Sequence, residues 1–248
     1  MLLPLLILSF LAPDLHAIET VTIAPDPAPK KITSVHSKSA PFKAGHSEAK
    51  GASSPVKLPL LLIEVQTQYQ KSTGVQAEFA QTTDIKATKQ IKKANGRIWI
   101  KRPNKLRWET LEPDPNILVS DGKTFWFYTP PFDKDERGQV IIKKTAQVQT
   151  QFLNALLSGS FDFEKGSTSI ETKGANVFLL KPKAGTAGDV KTAQITIEQA
   201  KHTISEVLLT HTSGNQTTIK LKGINISAKI DDSMFKFTPD RRTDKIYE

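Results

Sequence analysis

Apolar residues recur at two different spacings along the chain, and these spacings separate two helices from a long series of strands. Leu58, Leu62, Val65 and Tyr69 follow a 4-3-4 spacing, which is typical of one face of a helix. After Gly74 the period changes to two, which predicts strands, with a second helix near 147–157. The predicted strands are roughly 75–84, 88–102, 106–111, 116–120, 123–129, 139–144, 169–172, 175–181, 191–198, 203–211, 216–223 and 234–238.

The connections between these strands are short and carry turn residues. Asp121-Gly122, Lys173-Gly174 and Ser213-Gly214 are pairs that favour tight hairpin turns. Strands joined in this way form an antiparallel meander and not βαβ units. Because two or three helices cannot cover both faces of so many strands, we expect a mainly β fold. It should be a curved sheet or incomplete barrel of about ten to eleven strands, with the helices closing its concave side.

The hairpin at Asp121-Gly122 brings large apolar side chains together. A two-residue loop would place Leu118 opposite Phe125. The stretch Thr124–Tyr128 is then apolar on both faces. Such a strand is either covered on both sides or lines a cavity with one face.

A second hairpin, in the stretch RIWIKRPNKLRW at 97–108, places an arginine on an apolar face. A three-residue loop at Pro103-Asn104-Lys105 would put Leu106 opposite Arg102 and require an unusual backbone conformation at Asn104 or Lys105. The residues that then share one face are Ile98, Ile100, Arg102, Leu106 and Trp108.

Arg102 therefore points inward at the rim of an apolar surface, where a guanidinium needs acceptors. Three explanations are open. Arg102 bonds backbone carbonyls at the C-terminal end of a helix and holds that helix over a cavity, or it pairs with a core carboxylate, or it extends to solvent.

The first 57 residues lack both periodicities. Leu2–Ala12 is an apolar run with the length of a signal-peptide core, and Leu15-His16-Ala17 resembles a cleavage site, although no basic residue precedes the run. We expect residues 1–17 to be a signal peptide for export, with a buried N-terminal helix as the alternative. Residues 18–57 are rich in Pro, Ala, Lys and Ser, which predicts a disordered tail before a folded domain at 58–248.

Charge and composition narrow the classes of function. The chain carries a formal net charge of +9, but its lysines are scattered along polar strand faces, which favours anionic membrane or protein surfaces over nucleic acid. The absence of cysteine excludes thiolate zinc sites and cysteine nucleophiles. We expect His202 and His211 to be solvated and Asp133–Glu136 to be a polar loop, so the sequence predicts neither an enzyme nor a cofactor or metal.

Two stretches carry a family resemblance: NGRIWIKRPNKLRWE and, after a short spacer, ILVSDGKTFWFYTP. They resemble the periplasmic outer-membrane lipoprotein carrier family LolA, and the resemblance covers roughly Leu58–Asp240. It implies an unclosed antiparallel β-barrel with a lid of two or three short α-helices over an apolar cavity. It also implies that Arg102 is the arginine that hydrogen-bonds the lid helices when the cavity is closed.

The implied function is that of a chaperone, acting as a monomer, that shields lipoprotein acyl chains during passage through the periplasm. The implied partners are lipoproteins, an inner-membrane ABC complex of the LolCDE type and an outer-membrane acceptor similar to LolB. The alternatives are a lipid or lipoprotein sensor of the same fold without transfer activity, and a structural envelope protein. The residues expected to line the cavity, if they are not ordinary core, are Leu62, Val65, Ile98, Ile100, Leu106, Trp108, Leu118, Phe125, Phe152 and Leu156.

Overall fold

The computed structural model describes residues 58–144 and 151–248. The predicted signal peptide, the predicted tail and positions 147–150 of the predicted second helix lie outside these residues. The helices are α1 (Leu60–Lys71), α2 (Gln151–Ser158) and α3 (Phe163–Gly166), and a 3₁₀ turn spans Asp232–Phe235. The strands are β1 (Val75–Ile85), β2 (Gln90–Lys101), β3 (Lys105–Glu112), β4 (Asn116–Asp121), β5 (Thr124–Thr129), β6 (Gly138–Lys144), β7 (Ser167–Gly174), β8 (Val177–Pro182), β9 (Val190–Glu198), β10 (Thr203–His211), β11 (Gln216–Asn225) and β12 (Thr243–Tyr247).

The twelve strands form one sheet in the order β12-β6-β5-β4-β3-β2-β1-β11-β10-β9-β8-β7. Within the described residues, the two outermost strands, β12 and β7, do not pair with each other, so the sheet is not closed. Every neighbouring pair is antiparallel except β12 with β6, which is parallel. The predicted fold class, a mainly β unclosed barrel with a few short helices, is confirmed.

The C-terminal region differs from the prediction. The segment predicted as a strand at 234–238 instead begins with the last two residues of the 3₁₀ turn. The start of this turn is capped by the Asp231 carboxylate, which accepts the Ser233 N–H at 2.8 Å. Phe235, fully buried, packs against the sheet and not along its edge. The actual last strand, β12, was not predicted because its sequence TDKIY has no apolar alternation.

Both predicted hairpin registers are wrong by two residues. Ile100 pairs with Leu106, so the β2–β3 loop is Arg102-Pro103-Asn104, and Leu118 pairs with Phe127 and not with Phe125. Because side chains alternate with a period of two, a slip of two leaves every side chain on its predicted face. The unusual backbone conformation falls on Asn104, with φ of 54°.

Apolar side chains cover the sheet on both faces. The main cluster lies on the concave face and includes the buried side of α1, namely Leu62, Val65 and Tyr69. On the convex face, Ala228, Ile230 and Phe235 form a smaller cluster against Trp99 and Met234. The Phe237 ring lies 5.0 Å from the Tyr128 ring, so the chain after the 3₁₀ turn also contacts β5 on this face.

Charged groups fix the C-terminal segment on the convex face. Asp232 accepts hydrogen bonds from Lys101 at 2.7 Å and from Lys105 at 2.8 Å. These two ammonium groups lower the pKa of Asp232 to about 2. Among the described residues, no helix is long and apolar enough to cross a bilayer.

Candidate functional site

The ten residues predicted to line a cavity all belong to the concave-face cluster. Nine of them are 5% exposed or less, and Trp108 is partly buried against the same cluster. They come from two helices and four consecutive strands: Leu62 and Val65 of α1, Phe152 and Leu156 of α2, Ile98 and Ile100 of β2, Leu106 and Trp108 of β3, Leu118 of β4, and Phe125 of β5. The structure therefore places two helices side by side over one apolar surface of the sheet.

Aromatic side chains that the sequence analysis missed extend this surface. The Phe161 ring meets Phe152 at 5.1 Å and Phe163 at 5.5 Å, both edge to face. On the sheet, Phe79 contacts Trp108 with ring centroids 4.3 Å apart. The alternation in the stretch Phe161-Asp162-Phe163 was the available signal, since its two phenylalanines both turn toward the core.

Arg102 lies in the β2–β3 loop at the C-terminal end of α1. Its Nη2 donates hydrogen bonds to the carbonyl oxygens of Gln70 and Ser72, the latter at 3.1 Å. The last carbonyls of a helix have no intrahelical partner and carry partial negative charge, so a guanidinium is well matched to them. Of the three explanations that the sequence left open, this contact corresponds to the first.

Three further polar contacts tie α1 to its surroundings, and none was predicted. The Tyr69 hydroxyl accepts the Ile204 N–H at 3.1 Å, and burial raises the pKa of Tyr69 to about 12. Gln66 accepts the Phe163 N–H at 3.2 Å. Gln68 donates to the Lys201 carbonyl at 2.8 Å. The Tyr69 ring lies on the predicted apolar face of the helix, and its hydroxyl reaches the backbone of β10.

Gly159 sets how closely α2 approaches α1. It follows α2 with φ of +73°, as expected for a glycine that ends a helix. A Cβ at this position would lie 2.6 Å from Cβ of Tyr69 and 2.8 Å from its carbonyl carbon. Only glycine therefore permits both the left-handed turn and the contact between the two helices.

The prediction that His211 is solvated is wrong. His211 is 9% exposed because strand alternation puts it on the concave face with Val207 and Leu209. Its Nδ1 lies 2.9 Å from Asp189, and hydrogen bonding to His211 lowers the pKa of that carboxyl. Its position at the end of β10 indicates a structural contact between β10 and the loop that joins β8 to β9.

The other predicted polar positions carry no recognisable chemistry. His202 is partly exposed, 3.4 Å from Glu64. Residues 133–136 form an exposed loop, as predicted. In the part of the chain that the structure describes, no three His, Asp or Glu side chains are grouped so as to hold a metal ion.

Comparison with known proteins matches most of the folded region, from the end of α1 to a point before β12. The model of the family described as "Outer membrane lipoprotein carrier protein LolA" matches residues 70–238. The outer-membrane lipoprotein carrier protein of Serratia proteamaculans (strain 568) is 31% identical over 179 residues, which is 72% of this chain and 83% of that protein. The protein of the same name from Dechloromonas aromatica (strain RCB) is 31% identical over 177 residues, 70% of this chain and 81% of that one.

Among solved structures, a LolA superfamily protein from Nitrosomonas europaea aligns with a TM-score of 0.43 and 10% identity. The alignment covers 71% of this chain and 97% of that structure.

Proposed function

Because the chain belongs to the outer-membrane lipoprotein carrier family LolA, we propose that it shields the acyl chains of lipoproteins and carries them across the periplasm. The related proteins are named as carriers and not as enzymes. The observation that carries the proposal is the pair of helices, α1 and α2, whose buried sides lie over the apolar concave face of an unclosed sheet.

The physical task of such a carrier is to cover hydrocarbon and still release it. Each exposed CH₂ costs roughly 0.8 kcal/mol, so an acyl chain of about 16 carbons costs on the order of 13 kcal/mol in water. An apolar surface binds such a chain by area and has no hydrogen bonds to break on release. The ten clustered residues offer that surface once α1 and α2 move away from the sheet.

In this scheme, the hydrogen bonds of Arg102 oppose the binding of cargo. When α1 lifts, the guanidinium loses the carbonyls of Gln70 and Ser72. Cargo binding is weakened by the free energy of those hydrogen bonds. The bonds form again when the cargo leaves and α1 returns to the sheet. Arg102 thus acts as the latch of the lid, and its contribution favours handover to an acceptor.

The route we propose runs from an inner-membrane ABC complex of the LolCDE type to an outer-membrane acceptor similar to LolB, with the carrier as a monomer.

Mass spectrometry of the full chain, purified without detergent from the periplasm of cells that produce it, tests the proposal. We expect acylated N-terminal peptides of lipoproteins to copurify. Depletion of the protein should leave lipoproteins in the inner-membrane fraction. If depletion alters envelope signalling but not lipoprotein location, the protein is a sensor and the carrier proposal is wrong.

A further inference from the structure

Strands β10 and β11 separate at one end of the sheet. They pair from Thr210 with Gln216 up to Glu206 with Lys220. Beyond that point, no pairing joins the start of β10 to residues 221–225 of β11 within the described chain. An open depression of about 380 Å³ occupies the gap. We call this depression the β10–β11 seam; it is lined by residues 200–203, residues 224–226 and Gln68 of α1.

Polar groups at the start of β10 are left without β11 as a partner. Thr203 is 2% exposed, and its Oγ1 has no hydrogen-bond partner among the described residues. A buried hydroxyl without a partner is costly, and such groups are rare in folded proteins. The next N–H, that of Ile204, is taken by the Tyr69 hydroxyl and not by β11. The seam thus combines separated strand backbones with an unsatisfied hydroxyl.

The lining of the seam is neutral and partly apolar. Lys201 pairs with Glu198 at 2.8 Å, and His202 lies 3.4 Å from Glu64, so each basic group already faces a carboxylate. Ile224 and Ile226 are partly buried against the main core cluster. The remaining polar lining consists of the Thr203 hydroxyl and two amides. Gln68 already donates through Nε2 to the Lys201 carbonyl, and Asn225 already accepts the Ser227 N–H through Oδ1, so Oε1 of Gln68 and Nδ2 of Asn225 are the amide atoms offered to a ligand.

This combination matches an extended polypeptide better than a charged ligand. Extended peptides bind beside unpaired strand backbone by adding a strand, and alternate side chains enter adjacent pockets. Amide and hydroxyl groups satisfy peptide N–H and C=O groups, whereas a phosphate or carboxylate binds most strongly beside an unpaired cation.

We infer that the β10–β11 seam binds an extended peptide segment of the cargo, next to its acylated residue; this rests on the proposed function. Two neighbouring residues of α1 face different regions of the protein: Tyr69 points into the apolar core, and Gln68 lines the β10–β11 seam. The acyl chains therefore lie beneath α1, while the polypeptide leaves between β10 and β11.

The test uses two synthetic probes whose binding to the full chain is measured by calorimetry. One is a triacylated cysteine amide, and the other carries the same lipid followed by an uncharged ten-residue Ser/Asn/Gly tail. We expect the tail to tighten binding about tenfold. Ala200→Trp should remove this gain by filling the seam. Ala184→Trp, at an exposed alanine in another loop, should keep it.

Thr203→Val removes the hydroxyl at nearly constant volume. It should reduce the gain from the tail several-fold without lowering the free energy of unfolding, since Oγ1 has no partner to lose. A loss of stability with an unchanged gain would show that the hydroxyl serves the fold and contradict the inference.

The two proposals fail in different ways. If both probes bind equally, or if the two tryptophan variants have equal effects, the seam does not bind the peptide, while the proposal of acyl binding is unaffected. If neither probe binds, the carrier proposal fails. In that case, hydrogen exchange of the amides of residues 221–225 is measured with the unacylated tail peptide at high concentration. Protection of these amides would support peptide binding in the seam, and unchanged exchange would overturn it.

Discussion

A small number of side chains decide how firmly α1 is held against the sheet. The apolar side of the helix contributes most of the buried area, but area alone does not distinguish a lid from ordinary core. The polar contacts of Arg102 and Tyr69 make the proposed lid testable, because each joins one helix to one strand or turn and must break if the helix moves. Two predictions belong to this scale.

Arg102→Leu should hold cargo and fail to release it. Removing the charged donor costs the closed form on the order of 1.5 kcal/mol, which corresponds to about tenfold slower loss of cargo. The measurement is the transfer of a labelled lipoprotein from the purified carrier to outer-membrane vesicles. Arg97→Leu, at an exposed position of the neighbouring strand, is the control. If Arg102→Leu transfers the lipoprotein at the rate of the control, Arg102 does not act as a latch.

Tyr69→Phe should lower the free energy of unfolding by about 1–3 kcal/mol, because the buried Ile204 N–H loses its acceptor. The pKa of Tyr69 is raised from its ordinary value of 10 to about 12, so the unfolded chain loses this proton first. Stability should therefore fall as the pH rises from 10 to 12.

Urea titrations at several pH values, with Tyr69→Phe beside the original chain, measure both effects. The variant should lack the part of the alkaline slope that Tyr69 contributes. Tyr247→Phe, at a position 73% exposed, should change neither quantity. Parallel alkaline slopes for the original chain and Tyr69→Phe would show that the hydroxyl is not buried as described.

At the scale of elements, the account depends on two helices that pack on one another as well as on the sheet. Gly159 allows the end of α2 to approach Tyr69 of α1, so the helices form one cover. A single cover that moves as a unit would expose more of the concave surface than either helix would alone.

Gly159→Ala should therefore destabilise the cover. Gly185→Ala is a matched control, because Gly185 has a similar φ of +80° but a Cβ there meets nothing within 4 Å. Both variants bear the backbone strain of a left-handed conformation, about 1–2 kcal/mol. Only Gly159→Ala adds a clash with α1, and its melting temperature should be clearly the lower of the two. Equal melting temperatures would mean that the helices are not in close contact.

The elements show what the sequence could predict and what it could not. Six strand residues lie on the predicted face although both hairpin registers are wrong by two, because a period of two does not distinguish registers that differ by two. Turn geometry decides between them, and the loop Arg102-Pro103-Asn104 could not be located from apolar pattern alone. Strand β12 has no alternation of apolar and polar residues that could be detected in the sequence. It joins the sheet by parallel backbone pairing with β6.

The site was predictable only in part for a related reason. Alternation locates apolar residues such as Leu118 and Phe125, and it would also have placed His211 inward had its polar ring not favoured a solvated position. Contacts between distant segments carry no local signal. The Gln68–Lys201 and Tyr69–Ile204 bonds join residues more than 130 positions apart, so only the fold reveals them.

At the scale of the whole molecule, the two faces of the sheet have different covers. The convex face is closed by the segment 228–237, which continues the chain of β11 and is fixed by Asp232 to two lysines. The concave face is closed by α1 and α2, which cover it with apolar side chains, and α1 is held there by the hydrogen bonds of Arg102, Tyr69 and Gln68. Under the proposed function, movement is expected on the concave side, and hydrocarbon should bind there alone.

Leu118 and Val119 allow the most direct measurement of this claim. They are neighbours in β4 and both are buried, but Leu118 belongs to the concave-face cluster and Val119 points to the opposite face. Isotope-filtered NOE spectra of the methyl-labelled chain with an unlabelled triacylated lipopeptide should show contacts from acyl CH₂ groups to the Leu118 methyls and none to those of Val119. Acyl contacts at Val119, or bound lipopeptide without contacts at Leu118, would contradict the account.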